Sequence, residues 1–359
     1  MVHLLLTRKL HIDPINPDMG AIAEASGIVK AGGIIIFPTE TVYGIGANAL
    51  NEAACRRIFA LKGRPSDNPL IVHVSSLEMA EGIVSIPAEY RDGIRRVWPS
   101  PITFIAKSNG TLQKAVTGGL STVAVRMPAH PVALALISEC GVPIAAPSAN
   151  PSGRPSATNP RRAISYFDGR VECIIDSGAA FFGIESTVID LESFTVLRPG
   201  PFTPEEIEKA FGRMPKVDAV TRGMAHSGVA VSPGVKYAHY APKTKLLLFS
   251  GDMEELTGLL DGIQDLPPFA FIGSAESCSA VSEAFGCSTI ALGDRSDLYK
   301  IAKNLYDGII ALDSLNVAFG IIEAFEERGI GLAIMNRIRK ACSGTSFNSA
   351  DGLSKILEP

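Results

Sequence analysis

The sequence predicts an α/β protein with two domains, because the chain is long and because strand-like apolar runs alternate with helical patterns in two separate stretches. The chain has 359 residues, and a single domain commonly has about 100–200. Alternating strand and helix patterns are typical of sheets covered by helices. Glycine, proline and serine interrupt the periodicity between the two stretches, as they do in a linker. We therefore predict a domain over residues 1–215, a linker or lid over 216–243 and a smaller second domain over 244–359.

In the first stretch, short apolar runs predict strands and apolar residues at helical spacing predict helices. The predicted strands cover 33–38, 70–74, 122–127, 143–146, 186–190 and 194–197. The predicted helices cover 17–31, 52–62 and 131–140, and a last helix begins after Thr203. Thr203 and Glu206 have the spacing of a capping box, with Pro204 at the first helical position.

The second stretch repeats the same alternation on a smaller scale. The predicted strands are 245–249, 269–272 and 288–292, and the predicted helices are one from about 253, one over 297–312 and one over 318–327. Strands separated by helices of this length usually pair in parallel, because a crossover helix returns the chain to the same sheet edge. We therefore predict a small parallel α/β sheet.

Charge and composition exclude several classes of protein. The chain has 33 Lys and Arg against 37 Asp and Glu, and residues 1–215 are balanced at 20 and 20. Such a balance argues against a protein that holds nucleic acid by bulk electrostatics. A hydrophobic content of 46% is close to the globular average and excludes a disordered scaffold.

The remaining composition predicts a cytoplasmic protein. No apolar run approaches the roughly 18–20 residues that span a bilayer, and the first residues lack the pattern of a signal peptide. The six cysteines are scattered and form no C-x-x-C pair, so we expect thiols in a reducing compartment rather than disulfides or a zinc site.

A polar segment follows directly on the predicted strand 33–38. The hydroxyls of Thr39, Thr41 and Tyr43 stand beside Gly44 and Gly46. Hydroxyls and glycines at the carboxyl end of a strand suit a small polar ligand, although a turn that satisfies its own backbone is the alternative. The dinucleotide fingerprint and the P-loop motif are both absent, so a nucleotide site here would be of another type.

Two cations follow the predicted helix 52–62. Lys62 and Arg64 stand one residue apart on a stretch stiffened by Pro65 and Pro69. Lysine supplies a point charge and arginine a planar fork for phosphate oxygens. The pattern favours anion binding. The alternative is that the two cations only stabilise the negative end of the helix dipole. His73 lies in the next strand, where a hydrogen-bonded core histidine is the commoner case.

Arg126 lies near the end of a predicted apolar strand. Burial of a guanidinium without a partner is costly, so its partner should be either a substrate carboxylate or a protein acid. The segment 146–156 contains Ser148, Asn150 and Ser156 among three prolines, which pre-order the backbone. This segment favours ligand binding over an exposed linker, because it lies between apolar elements within the domain.

Two further segments place polar side chains next to strands: Ser186 and Thr187 in one, and Arg198 in the other. The sequence contains no G-x-S-x-G elbow, no H-E-x-x-H and no EF-hand loop. The candidate residues therefore predict a site that binds phosphate and carboxylate groups without an obvious nucleophile. Such a site acts through positioning and charge neutralisation.

Six segments, in order along the chain, resemble the motifs of one protein family. They are Pro38–Gly44, Lys62-x-Arg64, Pro69–His73, Val123–Pro128, Ser148-x-Asn150 and Glu185–Val188. The family is the YrdC/Sua5 family of L-threonylcarbamoyladenylate synthases. The motifs cover roughly residues 15–215, and the linker and α/β tail resemble the longer, two-domain Sua5 type.

This resemblance implies both a fold and a reaction. The implied fold is a YrdC-like twisted α/β sheet domain with a large, positive concave groove, followed by a smaller Rossmann-like α/β domain. The implied reaction converts L-threonine, bicarbonate and ATP, with Mg²⁺, into threonylcarbamoyl-AMP and pyrophosphate. The product is implied to pass to a tRNA threonylcarbamoyl transferase complex, which modifies adenosine 37 of tRNA.

The resemblance also implies roles for individual residues. Lys62, Arg64, Ser148 and Asn150 correspond to the signature around the nucleotide phosphates and are the implied catalytic residues. The other implied ATP contacts are Asn68, Thr122, Ser156, Arg198 and, in the linker, Tyr237. The implied threonine contacts are Thr41, His73, Arg126, Ala146 and Ser186, to which we add Thr39. No dedicated metal ligands are implied.

A role for Tyr237 would require the linker to fold back as a lid. Two other functions remain as rivals. An RNA-binding module of the same fold is the first, although the charge balance of residues 1–215 disfavours it. The related carbamoyl-transferring domain of hydrogenase maturation proteins is the second, but that type normally carries zinc-finger cysteines and an acylphosphatase domain, which this chain lacks.

Overall fold

The computed structural model describes residues 5–224 and 241–357. These residues divide into two compact units. The first contains residues 5–152 and Ser156–Thr221, and the second contains Gly153–Pro155, Arg222–Met224 and residues 241–357. Most of the predicted linker lies outside the described residues, so the predicted domain boundaries stay predictions.

The first unit is a mixed sheet with helices. Its elements, in chain order, are β1 (Arg8–His11), α1 (Met19–Lys30), β2 (Ile35–Phe37), β3 (Gly44–Asn48), α2 (Glu52–Lys62), β4 (Ile71–His73), α3 (Leu77–Glu81), β5 (Val84–Ser85), α4 (Ala88–Val97), β6 (Ile102–Ser108), α5 (Lys114–Thr117), β7 (Thr122–Arg126), α6 (Pro131–Cys140), β8 (Ile144–Ala145), α7 (Pro160–Phe167), β9 (Cys173–Asp176), β10 (Thr187–Asp190), β11 (Thr195–Arg198) and α8 (Pro204–Phe211).

The strand order brings distant polar segments together. The sheet has 11 described strands in the order β1-β9-β2-β3-β8-β4-β7-β6-β10-β11, with β5 paired to β6. Strand β4 runs parallel to β7 and antiparallel to β8. The apolar clusters packed against the sheet include one that contains Phe104 and another that contains Phe37. Strand β8 runs parallel to β2, so the loops after β2 and β8 leave from one end of the sheet, and the loops after β4 and β7 leave from the other.

Several predicted elements are confirmed to the residue, because their ends carry strong local signals. Helices α2 and α6 have the predicted bounds. Helix α8 begins with a complete capping box: Thr203 Oγ1 accepts the Glu206 N–H at 3.3 Å, and Glu206 Oε2 accepts the Thr203 N–H at 2.7 Å. The predicted strands 70–74 and 122–127 correspond to β4 and β7.

One segment that we predicted as a polar loop is partly a strand. Gly44–Asn48 forms β3, which pairs antiparallel with β2. The glycines fit because the ring of Phe37 lies against this strand: a Cβ at Gly46 would lie 2.8 Å from the Phe37 ring. Only the segment between β2 and β3 remains a loop.

The second unit is a parallel α/β sheet, as the sequence predicts. Its elements are β12 (Lys245–Phe249), α9 (Met253–Asp261), β13 (Phe269–Gly273), α10 (Ala275–Phe285), β14 (Ser288–Ala291), α11 (Leu298–Leu312), β15 (Phe319–Glu323), α12 (Gly331–Ala341), β16 (Ser346–Phe347) and α13 (Ala350–Leu357). The strand order is β14-β13-β15-β12-β16, and every pairing is parallel.

The predicted helix over 318–327 is wrong. Phe319–Glu323 is instead strand β15, which lies between β13 and β12 and is buried along its whole length. A continuously apolar central strand has no alternation of exposed and buried residues, so its pattern resembles that of a short buried helix. The helix in this region is α12, which begins at Gly331. Within the described residues, no helix is both long enough and apolar enough to cross a bilayer.

Candidate functional site

The loop between β2 and β3 is closed by its own hydroxyls. Thr39 Oγ1 donates to the Val42 carbonyl at 2.6 Å and lies 2.9 Å from Thr41 Oγ1. Tyr43, which the sequence suggested as a further ligand hydroxyl, instead donates to the Gly178 carbonyl at 2.7 Å and is buried. The Tyr43 hydroxyl therefore holds the loop after β9, while Thr39 and Thr41 hold the turn.

Arg126 ends strand β7 and is buried against the same loop. Its Nη1 donates to Thr41 Oγ1 at 2.8 Å, and its Nη2 lies 2.7 Å from Glu40 Oε1. The Nη2–Glu40 contact is an ion pair by distance, but its direction does not satisfy hydrogen-bond geometry. Among the described residues, neither Nε nor Nη2 of Arg126 has a hydrogen-bond acceptor, and neither Glu40 oxygen has a donor. Of the two alternatives raised by the sequence, the structure shows the protein acid, while the substrate carboxylate stays a prediction for which Nε and Nη2 retain hydrogen-bonding capacity.

His73 lies beside Arg126 on the neighbouring strand. The two residues are in register in the parallel β4–β7 pair, and both are buried. Burial, and secondarily the positive charge of Arg126, lower the pKa of His73 to about 3. The imidazole is therefore neutral at physiological pH. Its Nδ1 meets no hydrogen-bond geometry among the described residues, while the backbone of Ile144 and Ile71 acts on the imidazole in the direction that raises its pKa.

Lys62 forms hydrogen bonds to the loop that contains Ser148 and Asn150. Its ammonium donates to the Ser148 carbonyl at 2.6 Å, to the Asn150 carbonyl and to Asn150 Oδ1 at 3.4 Å. Ser148 Oγ donates in turn to Asn150 Oδ1 at 2.6 Å. Ala146, just before this loop, is buried and donates its N–H to the Ile71 carbonyl of the segment that begins β4. The loop is thereby tied to both α2 and β4.

The charge environment of Lys62 is unusual. Burial, and then the positive charge of Arg64, hold the pKa of Lys62 well below its usual range, while the negative charge of Glu185 acts in the opposite direction. Glu185 Oε1 also accepts the hydroxyl of Ser156 at 2.6 Å. Ser156 and Glu185 are buried, so the predicted ATP contact Ser156 lies against an acid that the sequence reasoning did not select.

Arg64 and Asn68 belong to the turn after α2. The Arg64 guanidinium donates to the carbonyls of Asn68 and Pro69, at 3.3 and 3.0 Å. Asn68 is buried, and its Oδ1 has no hydrogen-bond donor among the described residues. Asn68 precedes β4 and Thr122 begins β7. Because β4 and β7 are parallel, both residues lie at the end of the pair opposite to Arg126. The implied ATP contacts Asn68 and Thr122 therefore share one end of this pair, and the implied threonine contacts His73 and Arg126 share the other.

Ser186 and Arg198 contact each other directly. Arg198 donates through Nε to the Ser186 carbonyl and through Nη2 to Ser186 Oγ, both at 3.0 Å. Thr103 Oγ1 lies 2.8 Å from Ser186 Oγ. Gly200 lets the chain approach this pair, because a Cβ there would lie 2.3 Å from the Thr187 nitrogen and 2.6 Å from the Ser186 carbonyl carbon.

The structure thus joins the candidate residues in small groups. Hydrogen bonds link Thr39 to Thr41 and Thr41 to Arg126, and His73 is in register with Arg126 on the neighbouring strand. Lys62 binds the Ser148–Asn150 loop, Arg64 binds the Asn68 turn, and Arg198 binds Ser186. Tyr237 and the predicted lid lie outside the described residues. The sequence analysis did not select Glu40 and Glu185, although both lie within the quoted motifs. The signal that could have identified them is an acidic residue directly beside the hydroxyl side chains of Thr39 and Ser186.

Comparisons with known proteins agree with the motif reading. Residues 27–200 match the family model Sua5_yciO_yrdC, described as "Telomere recombination", and residues 202–343 match Sua5_C, "Threonylcarbamoyl-AMP synthase, C-terminal domain". The chain is 42% identical over 320 residues to the threonylcarbamoyl-AMP synthase of Pyrococcus abyssi, covering 88% of this chain and 92% of that protein. The chain belongs to the threonylcarbamoyl-AMP synthase (Sua5) family.

Other members of the Sua5 family match over similar lengths. The threonylcarbamoyl-AMP synthase of Bacillus subtilis is 40% identical over 337 residues, covering 92% of this chain and 96% of that protein. A crystal structure of Pyrococcus abyssi Sua5 complexed with L-threonine superposes with a TM-score of 0.86 at 38% identity, covering 95% of this chain and 99% of that chain. The predicted two-domain α/β layout of the Sua5 type is therefore confirmed.

Proposed function

We propose that this chain is a threonylcarbamoyl-AMP synthase that acts by nucleotidyl transfer. Its substrates are L-threonine, bicarbonate and ATP, and its products are threonylcarbamoyl-AMP and pyrophosphate. Support comes from relatives named threonylcarbamoyl-AMP synthase, which match this chain over nearly their whole length, and from the Sua5 structure complexed with L-threonine. The single observation that carries the proposal is the buried guanidinium of Arg126, whose Nε and Nη2 retain hydrogen-bonding capacity at the end of β7.

The surroundings of Arg126 suit an amino acid with a small polar side chain. A guanidinium binds a carboxylate through two parallel N–H groups, and this geometry distinguishes a carboxylate from other anions. The neutral imidazole of His73 and the hydroxyl of Thr41 are within the same buried cluster. Both can exchange hydrogen bonds with a ligand hydroxyl, as the side chain of threonine requires. We assign Thr39, Ala146 and Ser186 to the same threonine site.

The nucleotide half of the proposal depends on the turn and loop held by Arg64 and Lys62. Lys62 organises the Ser148–Asn150 loop, since three oxygen atoms of that loop surround its ammonium. Phosphate oxygens would replace some of these acceptors when ATP binds. We assign Asn68, Thr122, Ser156, Arg198 and Tyr237 to ATP as well. The bonds from Arg198 to Ser186 couple the proposed ATP residues to the proposed threonine residues.

The proposed reaction has two steps. The threonine ammonium gives up two protons, of which one joins the hydroxide lost by bicarbonate to form water and the other goes to solvent, and the nitrogen bonds to the carbon of the resulting CO₂ to form a carbamate. A carbamate oxygen then attacks the α-phosphorus of ATP in line, and the bond to the pyrophosphate oxygen breaks. Positioning of the two reactants supplies much of the rate, and cations stabilise the charge on the leaving pyrophosphate.

Mg²⁺ is proposed to enter with ATP. Magnesium usually keeps several waters and binds through phosphates with one or two carboxylates. The described residues contain no group of three or more His, Cys, Asp or Glu side chains suited to a metal ion, and Glu185 is the carboxylate close to Lys62 and Ser156. This donor set fits an ion held mainly by ATP, with Glu185 as its one candidate protein ligand. When bound, the ion would neutralise phosphate charge.

The product would serve as an activated donor for tRNA modification. We propose that it passes to a tRNA threonylcarbamoyl transferase complex, since a mixed anhydride with AMP is a labile compound whose carbamoyl group is ready for transfer.

Pyrophosphate release tests the proposed function. Purified protein should release pyrophosphate from ATP only when L-threonine and bicarbonate are both present, and omission of either should reduce release to background. Pyrophosphate release without threonine would overturn the proposal. Replacement of threonine by valine, which has the same shape without the hydroxyl, provides the specificity control.

A further inference from the structure

Among the residues that the structure describes, the buried carboxylate of Glu40 differs from those of Glu185 and Glu323 in having no hydrogen-bond donor. Glu40 is 7% exposed, and both of its carboxylate oxygens are buried. Glu185 accepts a hydroxyl from Ser156, and Glu323 accepts the Ser274 N–H at 2.6 Å and the Ser277 hydroxyl at 2.8 Å. Among the described residues, the Glu40 carboxylate forms an ion pair with Arg126 at 2.7 Å, and its negative charge also acts on His130, but neither contact is a hydrogen bond to its oxygens.

A purely structural ion pair accounts poorly for this arrangement. Removing two charges from water is repaid only when additional hydrogen bonds satisfy their remaining lone pairs and protons. Here both sides of the pair lack them, since Arg126 Nε and Nη2 also have no acceptor among the described residues. The nearby hydroxyls do not compensate: Thr41 Oγ1 accepts from Arg126, and Thr39 donates to the Val42 carbonyl. The missing partners are acceptors for Nε and Nη2 of the guanidinium and donors for the two oxygens of the carboxylate.

An amino acid supplies both kinds of missing partner at once. Its carboxylate is an acceptor for Arg126, and its ammonium is a donor for Glu40. The charges also balance, because an inner salt placed between Glu40 and Arg126 adds no net charge to a buried site. A simple monocarboxylate would satisfy Arg126 and leave Glu40 without a donor.

We propose that Glu40 binds the amino group of the substrate amino acid while Arg126 binds its carboxylate. This assignment rests on the proposed function and adds a residue to its threonine site. Glu40 thereby selects α-amino acids over hydroxy acids, and it orients the nitrogen that forms the carbamate. The Glu40–Arg126 contact of the described structure is replaced by two contacts to the ligand.

Removal of the amino group from the ligand tests the proposal most sharply. L-Threonine and (R)-3-hydroxybutanoate differ only in that group, and ligand-detected NMR titrations measure their affinities into the millimolar range. Wild-type protein should bind threonine about 10- to 100-fold more tightly than the deamino analogue, as a hydrogen bond between charged groups implies. In Glu40→Gln, threonine affinity should fall by about this factor and analogue affinity should remain within about twofold.

Glu24→Gln is the matched control. Glu24 forms an exposed ion pair with Arg8, so the same chemical change there should alter neither affinity. Equal weakening of threonine and the analogue in Glu40→Gln would overturn the proposal, since it would mean that Glu40 only holds Arg126 in place. Unchanged threonine affinity would overturn it as well.

Loss of one buried partner can destabilise the fold, so a second variant accompanies the first. Glu40→Asp keeps the charge and shortens the side chain, and it should weaken threonine more than the analogue. Thermal melting of each variant distinguishes misfolding from local loss of binding. Pyrophosphate release by wild-type protein separates the two hypotheses: if it depends on threonine and bicarbonate while Glu40→Gln binds threonine normally, only the Glu40 assignment fails.

Discussion

His73 and Arg126 stand opposite each other on the parallel strands β4 and β7, and the guanidinium helps to keep the imidazole neutral. The register pairs the two residues directly, and both are buried. Burial contributes most to the depressed pKa of His73, with the charge of Arg126 second. A neutral imidazole can donate through one nitrogen and accept through the other, which suits a site for a hydroxyl-bearing ligand.

The first prediction concerns the pH dependence of stability. His73 has a pKa of about 3 in the folded protein and about 6.5 when unfolded. Between these values the unfolded chain binds one more proton, so the free energy of unfolding falls as pH drops through about 6.5, by up to about 1.4 kcal/mol per pH unit. Urea denaturation from pH 7.5 to 4.5 should show this slope in wild-type protein and a shallower slope in His73→Gln. His11→Gln, on an exposed side chain, is the control. Identical slopes in wild type and His73→Gln would contradict the pKa assignment.

The second prediction separates the two substrates. Arg126→Ala should raise the KM for threonine at least about 100-fold, because hydrogen bonds to a charged group are worth about 1.5–3 kcal/mol and two are lost. The KM for ATP should change far less. Arg56→Ala, which removes an exposed arginine paired with Glu52 on α2, is the control. Equal increases in both constants would mean that Arg126 does not bind the carboxylate.

The third prediction concerns the loop held by Lys62. In Lys62→Met, the carbonyls of Ser148 and Asn150 lose their donor, and leaving buried carbonyls unpaired costs about 1–3 kcal/mol each. Amide hydrogen exchange should accelerate across residues 148–152, and pyrophosphate release should be lost. Lys30→Met, at an exposed position ending α1, should leave both measurements unchanged. Unaltered exchange in Lys62→Met would show that the loop holds itself without the ammonium.

The fourth prediction concerns Gly200. A Cβ at this position would lie 2.3 Å from the Thr187 nitrogen, so Gly200→Ala must displace the segment that carries Ser186. Overpacking of this kind costs about 1–3 kcal/mol of unfolding free energy. Gly27→Ala is the control, because a Cβ within α1 would meet nothing within 4 Å and alanine favours the helix. Equal stability of the two variants in urea would contradict the close approach at Gly200.

Local signals predicted much of the fold, and long-range contacts account for what was missed. Helices α2 and α8 follow from caps and spacing that lie within the segments themselves. Strand β15 was mistaken for a helix because an apolar run identifies burial without identifying the neighbours that make it a strand. Gly44–Asn48 became a strand because Phe37 packs on its glycines, a contact between residues that sequence periodicity does not relate.

In the candidate site, too, local sequence predicted some features and long-range contacts determine the others. Arg126 was predictable as a buried cation with a partner, because an apolar strand surrounds it in the sequence. The identity of that partner, Glu40, depends on how the β2–β3 loop meets the end of β7, 85 residues further along from Thr41. Lys62 was predictable as a cation at the end of α2, whereas its three contacts with the Ser148–Asn150 loop required the folded chain.

Transfer of label into one product tests the central claim most directly. The protein is incubated with ATP, ¹⁴C-bicarbonate and ³H-L-threonine, and the nucleotides are separated and counted alongside the released pyrophosphate. The proposed function predicts a single AMP-containing compound that carries both labels in equal molar amounts, formed in step with pyrophosphate. Release of pyrophosphate with no nucleotide that carries both labels would contradict it.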